Sequence, residues 1–191
     1  IEHPAVMASI AWLEKQGFES SKIKVDKQGR FDPNKLAQSI TDKTVLVSLH
    51  QANHDLGIIQ PIAEAAKITG QKGIPLFVDA TLSGGWLPID VQQLGIDLLA
   101  LSPHRFYGPK GVGVLYKNRR IPVEPLIHGG IQENELRAGT ENIAAIVGAG
   151  IAAISAIDEF DQRFNHTTKL QKQLLSGIRQ TVKGVHLNGP E

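Results

Sequence analysis

The sequence predicts an α/β fold in which a mostly parallel β-sheet is flanked by helices. Two kinds of segment lead to this prediction. Short apolar runs rich in β-branched residues, such as TVLVSLH at 44–50 and PLFVDA at 75–80, are typical of strands buried on both faces. Segments with apolar residues at helical spacing separate these runs, and strands that alternate with helices are typical of α/β folds.

Local signals place the helices in the first half of the chain. Asp32 is a favoured N-cap residue and Pro33 is favoured in the first helical turn, so a helix begins there. Gly17 and Gly73 each follow a helical segment, and glycine is favoured just beyond a helix end. In chain order, the predicted elements are a helix over 6–13, a strand over 21–25, a helix over 32–40, a strand over 44–50, a polar loop over 51–57 and a helix over 62–72.

The second half predicts three more strands and then a long helical region. The strands are PLFVDA at 75–80, IDLLALS at 96–102 and the glycine-rich GVGVLY at 111–116. From Asn142 the sequence is compatible with helix as far as Lys183, and we expect a break near Asn165. The last segment, VHLNGPE, predicts the start of a further element that is not completed, so we expect a truncated chain.

The composition indicates a soluble globular protein and argues against several classes of function. Hydrophobic residues make up 41% and charged residues 20% of the chain, which is ordinary for a folded domain. The 20 Lys and Arg residues nearly balance the 19 Asp and Glu residues, so no nucleic-acid partner is predicted. No apolar run reaches the length of a membrane span and no signal peptide opens the chain, so we expect a cytoplasmic protein without a membrane partner. The absence of cysteine excludes disulfides, thiolate metal sites and a cysteine nucleophile within these residues.

Polar residues follow three of the predicted strands at the point where each strand ends. In open α/β sheets, ligands bind beyond the carboxyl ends of the strands. We therefore expect Asp79, Thr81, Ser102, His104 and residues 53–55 to meet in one crevice. An aspartate beside a Ser-x-His sequence is a reasonable anion or cofactor site. The alternative interpretation is that these are solvated loop residues that cap helices.

Four longer stretches carry a specific resemblance that covers nearly the whole chain. They are EHPAV at 2–6, QANHDLGIIQPI at 51–62, VDATLSGGWLPIDVQQLGIDLLALSPHRFYGPKGVGVLY at 78–116 and PLIHGGIQENELRAGTENIAAIVG at 125–148. In this order and spacing, the sequence resembles the large domain of the cysteine desulfurases, which are class V aminotransferases. The resemblance implies the large domain of the fold-type-I transferases that depend on pyridoxal phosphate (PLP). It also implies a cofactor-type large domain over 1–160, incomplete at its N-terminus, and over 161–191 a long helix and the start of a truncated small domain.

The resemblance implies roles for individual residues. His3 matches the histidine that stacks on the pyridine ring of PLP, and Asp79 matches the aspartate that pairs with the pyridinium nitrogen. Ser102 and His104 match groups that hold the phosphate. Thr140, in RAGTEN, matches a threonine that reaches the phosphate bound by the partner subunit, so the resemblance also implies a homodimer.

Three residues depart from the family pattern at the cofactor. Arg105 stands where the family has the lysine that bonds covalently to the PLP aldehyde. A guanidinium stays protonated, so Arg105 cannot serve as that nucleophile. His54 replaces an asparagine and Leu82 replaces a glutamine, and both family side chains face the phenolic oxygen of PLP. These departures predict a degenerate site, with PLP lost or bound non-covalently.

The activity implied by the resemblance is removal of sulfur from L-cysteine, which gives alanine and a protein persulfide for iron–sulfur or thio-cofactor assembly. Two hypotheses follow. The chain is either an enzyme of this class whose altered pocket still binds PLP, or a non-catalytic homologue that acts as a scaffold or partner-binding subunit. Arg105, His54 and Leu82 favour the second hypothesis. An iron–sulfur scaffold or a sulfur-acceptor protein is the implied partner.

A competing signal lies in VGAGIAA at 147–153. It matches the Gly-x-Gly-x-x-Ala pattern of dinucleotide-binding turns, so an NAD-binding protein is a weaker alternative. That pattern requires a preceding strand, and small residues at a close helix contact are the favoured interpretation. The histidines His50, His166 and His186 lack metal-ligand spacing, so we predict that they are surface or loop residues and that no metal is bound.

Without a cofactor, Arg105 is expected to take a different role. A buried carboxylate without a partner is costly, and a guanidinium can pair with Asp79 through a charge-assisted hydrogen bond. We therefore expect an Arg105 nitrogen within about 3.5 Å of an Asp79 carboxylate oxygen, directly or through one water, with Leu82 filling the empty pocket. The rival placement turns Arg105 toward Ser102 and His104, where it would hold a phosphate or sulfate.

Overall fold

A four-stranded β-sheet forms the centre of the structure, a computed structural model that describes residues 1–190. The strands of the molecule are β1 (Val47–His50), β2 (Ala52–Asn53), β3 (Ile58–Ile59), β4 (Leu76–Asp79), β5 (Leu98–Leu101) and β6 (Val114–Lys117). The sheet has the order β1-β4-β5-β6; β1 and β5 run parallel to β4, and β6 runs antiparallel to β5. Strands β2 and β3 form a separate antiparallel pair. The predicted α/β fold with a mostly parallel sheet is confirmed.

Helices occur where the local signals predict them. They are α1 (Pro4–Lys15), α2 (Pro33–Ser39), α3 (Ile62–Gln71), α4 (Ile143–Asp158) and α5 (Phe160–Thr181). The Asp32 side chain accepts a hydrogen bond from the Asn34 backbone N–H at 2.9 Å, and Pro33 opens α2 as predicted. Beyond α3, Gly73 has φ +68°, the left-handed conformation that favours glycine after a helix end.

The hydrophobic core is built on the central strand β4. Leu76 and Val78 of β4 are 0% exposed because strands flank β4 on both sides and helices cover the sheet. They pack in one cluster with Ile62 and Ala65 of α3. The same cluster also contains Phe31, Leu36, Ile40, Val47, Leu49, Ile74, Ala80, Ile96 and Leu99. This core fixes the carboxyl ends of β1, β4 and β5.

Two predictions in the first half of the chain are wrong. The strand expected over 21–25 is reduced to a single bridge between Val25 and Phe31. The Asp26 carboxylate accepts a hydrogen bond from the Arg30 backbone N–H at 2.9 Å, so the chain turns directly after Val25. The polar loop expected over 51–57 contains β2, and four residues separate β2 from its partner β3.

The long C-terminal helix breaks at Glu159, and the break predicted near Asn165 is wrong. Helices α4 and α5 are bent by 70° there. Ala152 and Ala156 of α4 pack on Phe106, whereas no residue of α5 is buried.

No helix or strand follows α5 within residues 182–190, so the further element predicted at 185–191 does not form there. Residue 191 of that prediction lies outside the described residues. Helix α5 begins at Phe160, and the division into two domains at residue 160 stays a prediction.

Among residues 1–190, no single helix is long and apolar enough to cross a membrane. Together, helices α4 and α5 have the length and apolar composition of a membrane span, but they are bent by 70° relative to each other.

Candidate active site

The carboxyl ends of β1, β4 and β5 lie side by side at one edge of the sheet. In the strand register, Asp79 is the partner of His50 on one side and of Ala100 on the other. Three polar segments leave the sheet from this edge, at 51–55, 80–83 and 102–105. The three segments leave the same edge of the sheet, as expected for the carboxyl ends of neighbouring parallel strands.

A buried hydrogen bond ties two of these segments together. The Ser83 hydroxyl donates to Oε1 of Gln51 at 2.6 Å, and the Gln51 backbone N–H donates to the Asp79 carbonyl at 2.9 Å. The residues Gln51 and Ser83 are only 4% and 2% exposed. The turn that carries Leu82 is therefore held against the end of β1.

Asp79 is the last residue of β4 and is 5% exposed. Its Oδ1 accepts a hydrogen bond from the Thr81 backbone N–H at 3.0 Å. Within residues 1–190, no hydrogen bond to its Oδ2 is found. An ionised carboxylate accepts several hydrogen bonds, so Oδ2 can receive a donor that a ligand brings.

Glu2 and His50 form a second polar contact beside Asp79, which was not predicted from the sequence. Oε1 of Glu2 accepts a hydrogen bond from the His50 backbone N–H at 2.8 Å. Burial raises the pKa of the Glu2 carboxyl, the His50 hydrogen bond opposes this rise, and the charge of Asp79 adds a smaller increase. The sequence signals only a glutamate directly before His3, and its contact with the end of β1 joins residues 48 positions apart.

The prediction that His50 is a surface or loop residue is wrong. It is 2% exposed, because it ends the buried strand β1 beside Asp79. His166 and His186 are exposed, as predicted. The described residues contain no group of three or more His, Cys, Asp or Glu side chains that could hold a metal ion.

The Ser-x-His segment forms a short 3-10 turn over Pro103–Phe106. Ser102 precedes the turn and is half-buried, and its carbonyl accepts a hydrogen bond from the Arg105 backbone N–H at 2.9 Å. The side chain of His104 is exposed, on the turn directly after Ser102. The Ser102 hydroxyl and the His104 ring are therefore accessible to a ligand at the end of β5.

The predicted direct pairing of Arg105 with Asp79 is wrong, and the pairing through one water stays a prediction. Arg105 is exposed, and no ion pair between the two residues occurs in the part of the chain that the structure describes. The Arg105 carbonyl accepts a hydrogen bond from Nε1 of Trp86 at 2.8 Å, which fixes the main chain on the turn. A solvated guanidinium avoids the cost of desolvation that burial beside Asp79 would bring.

His54 and Leu82, two of the departures from the family pattern, line one cavity. Its volume is about 180 Å³, and Trp86 and Ile58 also contribute to its wall. His54 remains largely exposed, with its Nε2 3.6 Å from Oδ1 of Asp55. The cavity is mostly apolar, and Leu82 contributes no hydrogen-bond donor to it.

His3 lies on a segment that contacts the candidate site, whereas Thr140 does not. His3 is the N-cap of α1, where its Nδ1 accepts a hydrogen bond from the Ala5 backbone N–H at 3.1 Å. The carbonyl of Ile1 accepts a hydrogen bond from Nδ2 of Asn53 at 3.2 Å, so the His3 segment is tied to the candidate site. Thr140 is exposed, and no side-chain contact joins it to the site within residues 1–190.

The sequence VGAGIAA at 147–153 lies inside helix α4. The dinucleotide-binding pattern requires its glycines in a turn after a strand, so the structure contradicts the NAD alternative. A Cβ added at Gly148 would lie 3.2 Å from Cγ of Pro109. The small residue therefore serves a close contact of the helix, as the favoured interpretation predicts.

Comparison with known proteins identifies the family. Residues 1–191 match the family described as "Aminotransferase class-V". The chain belongs to the class-V aminotransferases. It is 43% identical over 190 residues to "Cysteine desulfurase IscS" of Dictyoglomus turgidum, a match that covers 100% of this chain and 48% of that protein. It is 46% identical over 189 residues to "Cysteine desulfurase IscS" of Methanosarcina thermophila, with 99% of this chain and 46% of the relative covered.

Solved structures agree with this assignment. A structure titled "NIFS-LIKE PROTEIN" superposes with a TM-score of 0.95 at 37% identity, covering 100% of this chain and 52% of that one. The structure of DndA from Streptomyces lividans superposes with a TM-score of 0.90 at 34% identity, covering 98% of this chain and 54% of that one. The resemblance to cysteine desulfurases and the fold it implies are confirmed. The chain spans about half the length of the curated relatives that it matches.

The family implies PLP. The residues at the site fit the pyridine nitrogen and the phosphate of PLP, but Arg105 does not fit a covalent bond to its aldehyde. Oδ2 of the buried Asp79 can accept a hydrogen bond from a protonated pyridine nitrogen. Ser102 and His104 are accessible donors for a phosphate group. Arg105 does not fit covalent attachment, because a guanidinium does not add to an aldehyde.

Proposed function

We propose that this chain is the cofactor-recognising region of a cysteine desulfurase-like protein that binds PLP without a covalent bond. As a consequence, it does not itself remove sulfur from L-cysteine. The observation that carries the proposal is the combination of a buried, ligand-ready Asp79 with an exposed arginine at position 105. The first favours a pyridinium nitrogen, and the second excludes covalent attachment.

The residues retained at the site have defined tasks. Asp79 would hold the pyridine nitrogen protonated, which lets PLP withdraw electrons when it is bound. The turn after β5 would bind the phosphate through Ser102 and His104, and His3 lies on the segment tied to Asn53. Arg105 can neutralise an anion near this turn, but it cannot take up or release a proton at neutral pH.

PLP titration tests this proposal. The natural chain is titrated with PLP, reduced with borohydride and digested, and the adducts are mapped by mass spectrometry. We expect saturable, non-covalent binding with no pyridoxyl group on residue 105, and no release of sulfide from L-cysteine. The Arg105→Lys variant is the matched comparison, and it should acquire an adduct at position 105. Lys110→Ala controls for adducts on a neighbouring exposed lysine. A pyridoxyl group on Arg105, or sulfide turnover by the natural chain, contradicts the proposal.

A second candidate is a non-catalytic scaffold or partner-binding subunit that has lost PLP. Leu82 and the apolar cavity beside it support this candidate, because a donor to the cofactor is replaced by an apolar side chain. An iron–sulfur scaffold or a sulfur-acceptor protein is the partner that we propose in that case. The absence of any saturable PLP binding in the titration, with the chain folded, selects this candidate over the first.

We also propose that the intact protein is a homodimer. The support is the segment 128–140, which is exposed around Thr140 and carries the 78% exposed Ile131. Sedimentation of the full-length protein at micromolar concentration checks this, and a monomer alone would contradict it.

A further inference from the structure

The indole of Trp86 is placed directly against the turn that carries Arg105. Nε1 of Trp86 donates a hydrogen bond to the Arg105 carbonyl at 2.8 Å. The two glycines before Trp86 make this approach possible. A Cβ added at Gly85 would lie 2.4 Å from Cβ of Phe106, and one added at Gly84 would lie 2.6 Å from Cδ2 of Leu101. At Gly85, which has φ +76°, a side chain would displace Phe106 of the turn, whereas at Gly84 it would first meet the flexible end of Leu101.

Further contacts continue from the indole to the bend between α4 and α5. The rings of Trp86 and Tyr107 meet edge to face, with centroids 5.9 Å apart and planes at 64°. Cζ of Arg163 lies 4.9 Å from the centroid of the Tyr107 ring. Nε and Nη2 of Arg163 donate to Oε2 of Glu159 at 3.0 and 2.9 Å. We name these four residues, Trp86, Tyr107, Arg163 and Glu159, the Trp86 stack.

The backbone of the turn depends on such support. Tyr107 has φ +68°, a left-handed conformation that is unfavourable for a residue with a side chain. Such a conformation persists where surrounding contacts over-determine it. Tyr107 is 73% exposed, and the ring contacts that restrain it come from Trp86 and from Arg163.

We propose that Trp86 is a positioning residue for the site: the Trp86 stack fixes the main chain at residue 105 and so sets where that side chain leaves the turn. This inference deepens the proposed function. Its expected effect on PLP binding rests on that proposed function. Because the stack ends at Glu159, the bend between α4 and α5 is coupled to the same position. Loosening the stack should therefore loosen the anion-binding turn without unfolding the sheet, because β4 and its core lie outside the stack.

A spin label at residue 105 tests the positioning directly. The chain contains no cysteine, so Arg105→Cys gives a single thiol for a nitroxide label. In this background Trp86→Phe keeps an aromatic ring but removes the N–H donor. We expect the rotational correlation time of the label to fall by about twofold or more. Trp12→Phe, which changes the other tryptophan on the exposed face of α1, should leave it unchanged.

A second label position separates positioning from general loosening. A nitroxide at Arg119→Cys, in the exposed turn after β6, should not respond to Trp86→Phe. If Trp86→Phe does not fold, Arg163→Met removes the cation over Tyr107 and should mobilise the label at 105, while Arg163→Lys should restore it. Equal mobility at 105 in the parent and in the foldable stack variants, or an equal gain at 119, overturns the inference.

The consequence for the site is measured with PLP as the probe. Without the Arg105→Cys change, Trp86→Phe should raise the Kd for PLP about threefold to tenfold relative to Trp12→Phe. If the parent chain does not bind PLP, the proposed function fails, and the label experiment still decides the positioning role. Equal Kd values in the two variants, with the label at 105 mobilised, would overturn the claim that the stack acts on the site.

Discussion

The two sides of the candidate site are supported by different parts of the fold. Asp79 ends the central strand, is 5% exposed, and has paired strands on both sides. Arg105 lies on a short turn, is exposed, and is held mainly through its carbonyl by one indole. A substitution on the first side disturbs the core, whereas one on the second changes chemistry at little cost to folding. We therefore expect the fold to tolerate an arginine at position 105, as the proposed function requires.

The largest contrast is expected in stability. Leu76→Ala, at a fully buried position in the strand that carries Asp79, should lower the free energy of unfolding by about 2–5 kcal/mol, because it leaves a cavity in the core. Arg105→Ala should change it by no more than about 0.5 kcal/mol. Urea unfolding followed by circular dichroism measures both values. Similar losses for the two variants would remove the contrast.

Binding of PLP should show the next largest effect. Asp79→Asn keeps an oxygen that can accept the Thr81 hydrogen bond but removes the negative charge, so PLP affinity should fall about tenfold to a hundredfold. Arg105→Gln should change affinity by less than about threefold, because Arg105 is exposed and solvent screens its charge from the phosphate. Equilibrium titration by absorbance measures both. A larger loss for Arg105→Gln than for Asp79→Asn would reverse the assignment of the two sides.

Two serine variants compare the buried and the accessible hydroxyl groups. Ser83→Ala leaves Oε1 of the buried Gln51 without its donor, which should cost about 1–3 kcal/mol of stability. Ser102→Ala should cost less than about 0.5 kcal/mol, because its half-buried hydroxyl makes no hydrogen bond within the described residues. Thermal unfolding of the two variants is the measurement, and a larger cost for Ser102→Ala would count against the comparison.

The smallest effect concerns pH. Burial raises the pKa of Glu2 above 4.5, so the folded state holds this proton more tightly than the unfolded chain does. The stability that this provides is present below pH 4.5 and is lost as pH rises through the raised pKa. Glu2→Gln keeps an oxygen that can accept the His50 hydrogen bond, so it should flatten this loss and be the more stable form at pH 7.

The pKa of Asp26 is shifted in the opposite direction to that of Glu2. The hydrogen bond from Arg30 and two others lower the pKa of the exposed Asp26, so its contribution is present above pH 3.8 and is lost as pH falls through the lowered pKa. Unfolding curves from pH 3 to pH 8 for Glu2→Gln and Asp26→Asn check both signs. A steeper rather than flatter profile for Glu2→Gln would contradict the cause assigned to its pKa.

Much of the fold could be predicted because its signals are local or depend on burial on both faces. The start of α2 follows from Asp32 and Pro33 alone, and β4 follows from a run of apolar residues. The break at Glu159 could not be predicted, because no glycine or proline lies there and the nearby packing of α4 on Phe106 is a contact between distant parts of the sequence. The short pairing of β2 with β3 is likewise set by the surrounding structure rather than by its few residues.

The site shows the same division. The position of Asp79 at a strand end follows from its place after an apolar run. The direction of Arg105 does not: we propose that it depends on a hydrogen bond from Trp86, 19 residues away in the sequence. The absence of metal-ligand spacing led to the wrong prediction that His50 is a surface or loop residue, because spacing carries no information on burial. The apolar pattern of the sequence therefore identifies the strand ends, whereas the burial and direction of the side chains there depend on long-range contacts.

The antiparallel strand β6 has a consequence for how this chain behaves at high concentration. It lies at the edge of the sheet, and within residues 1–190 no strand pairs with its outer side. Val114 and Leu115 on it are 41% and 54% exposed. In a preparation of these residues alone, an open edge with exposed apolar side chains is a template for self-association into extended sheets, and Lys117 at its end supplies one charge that opposes this. Replacing Leu115 by a second lysine is therefore the change that we expect to keep concentrated solutions of this chain free of aggregates.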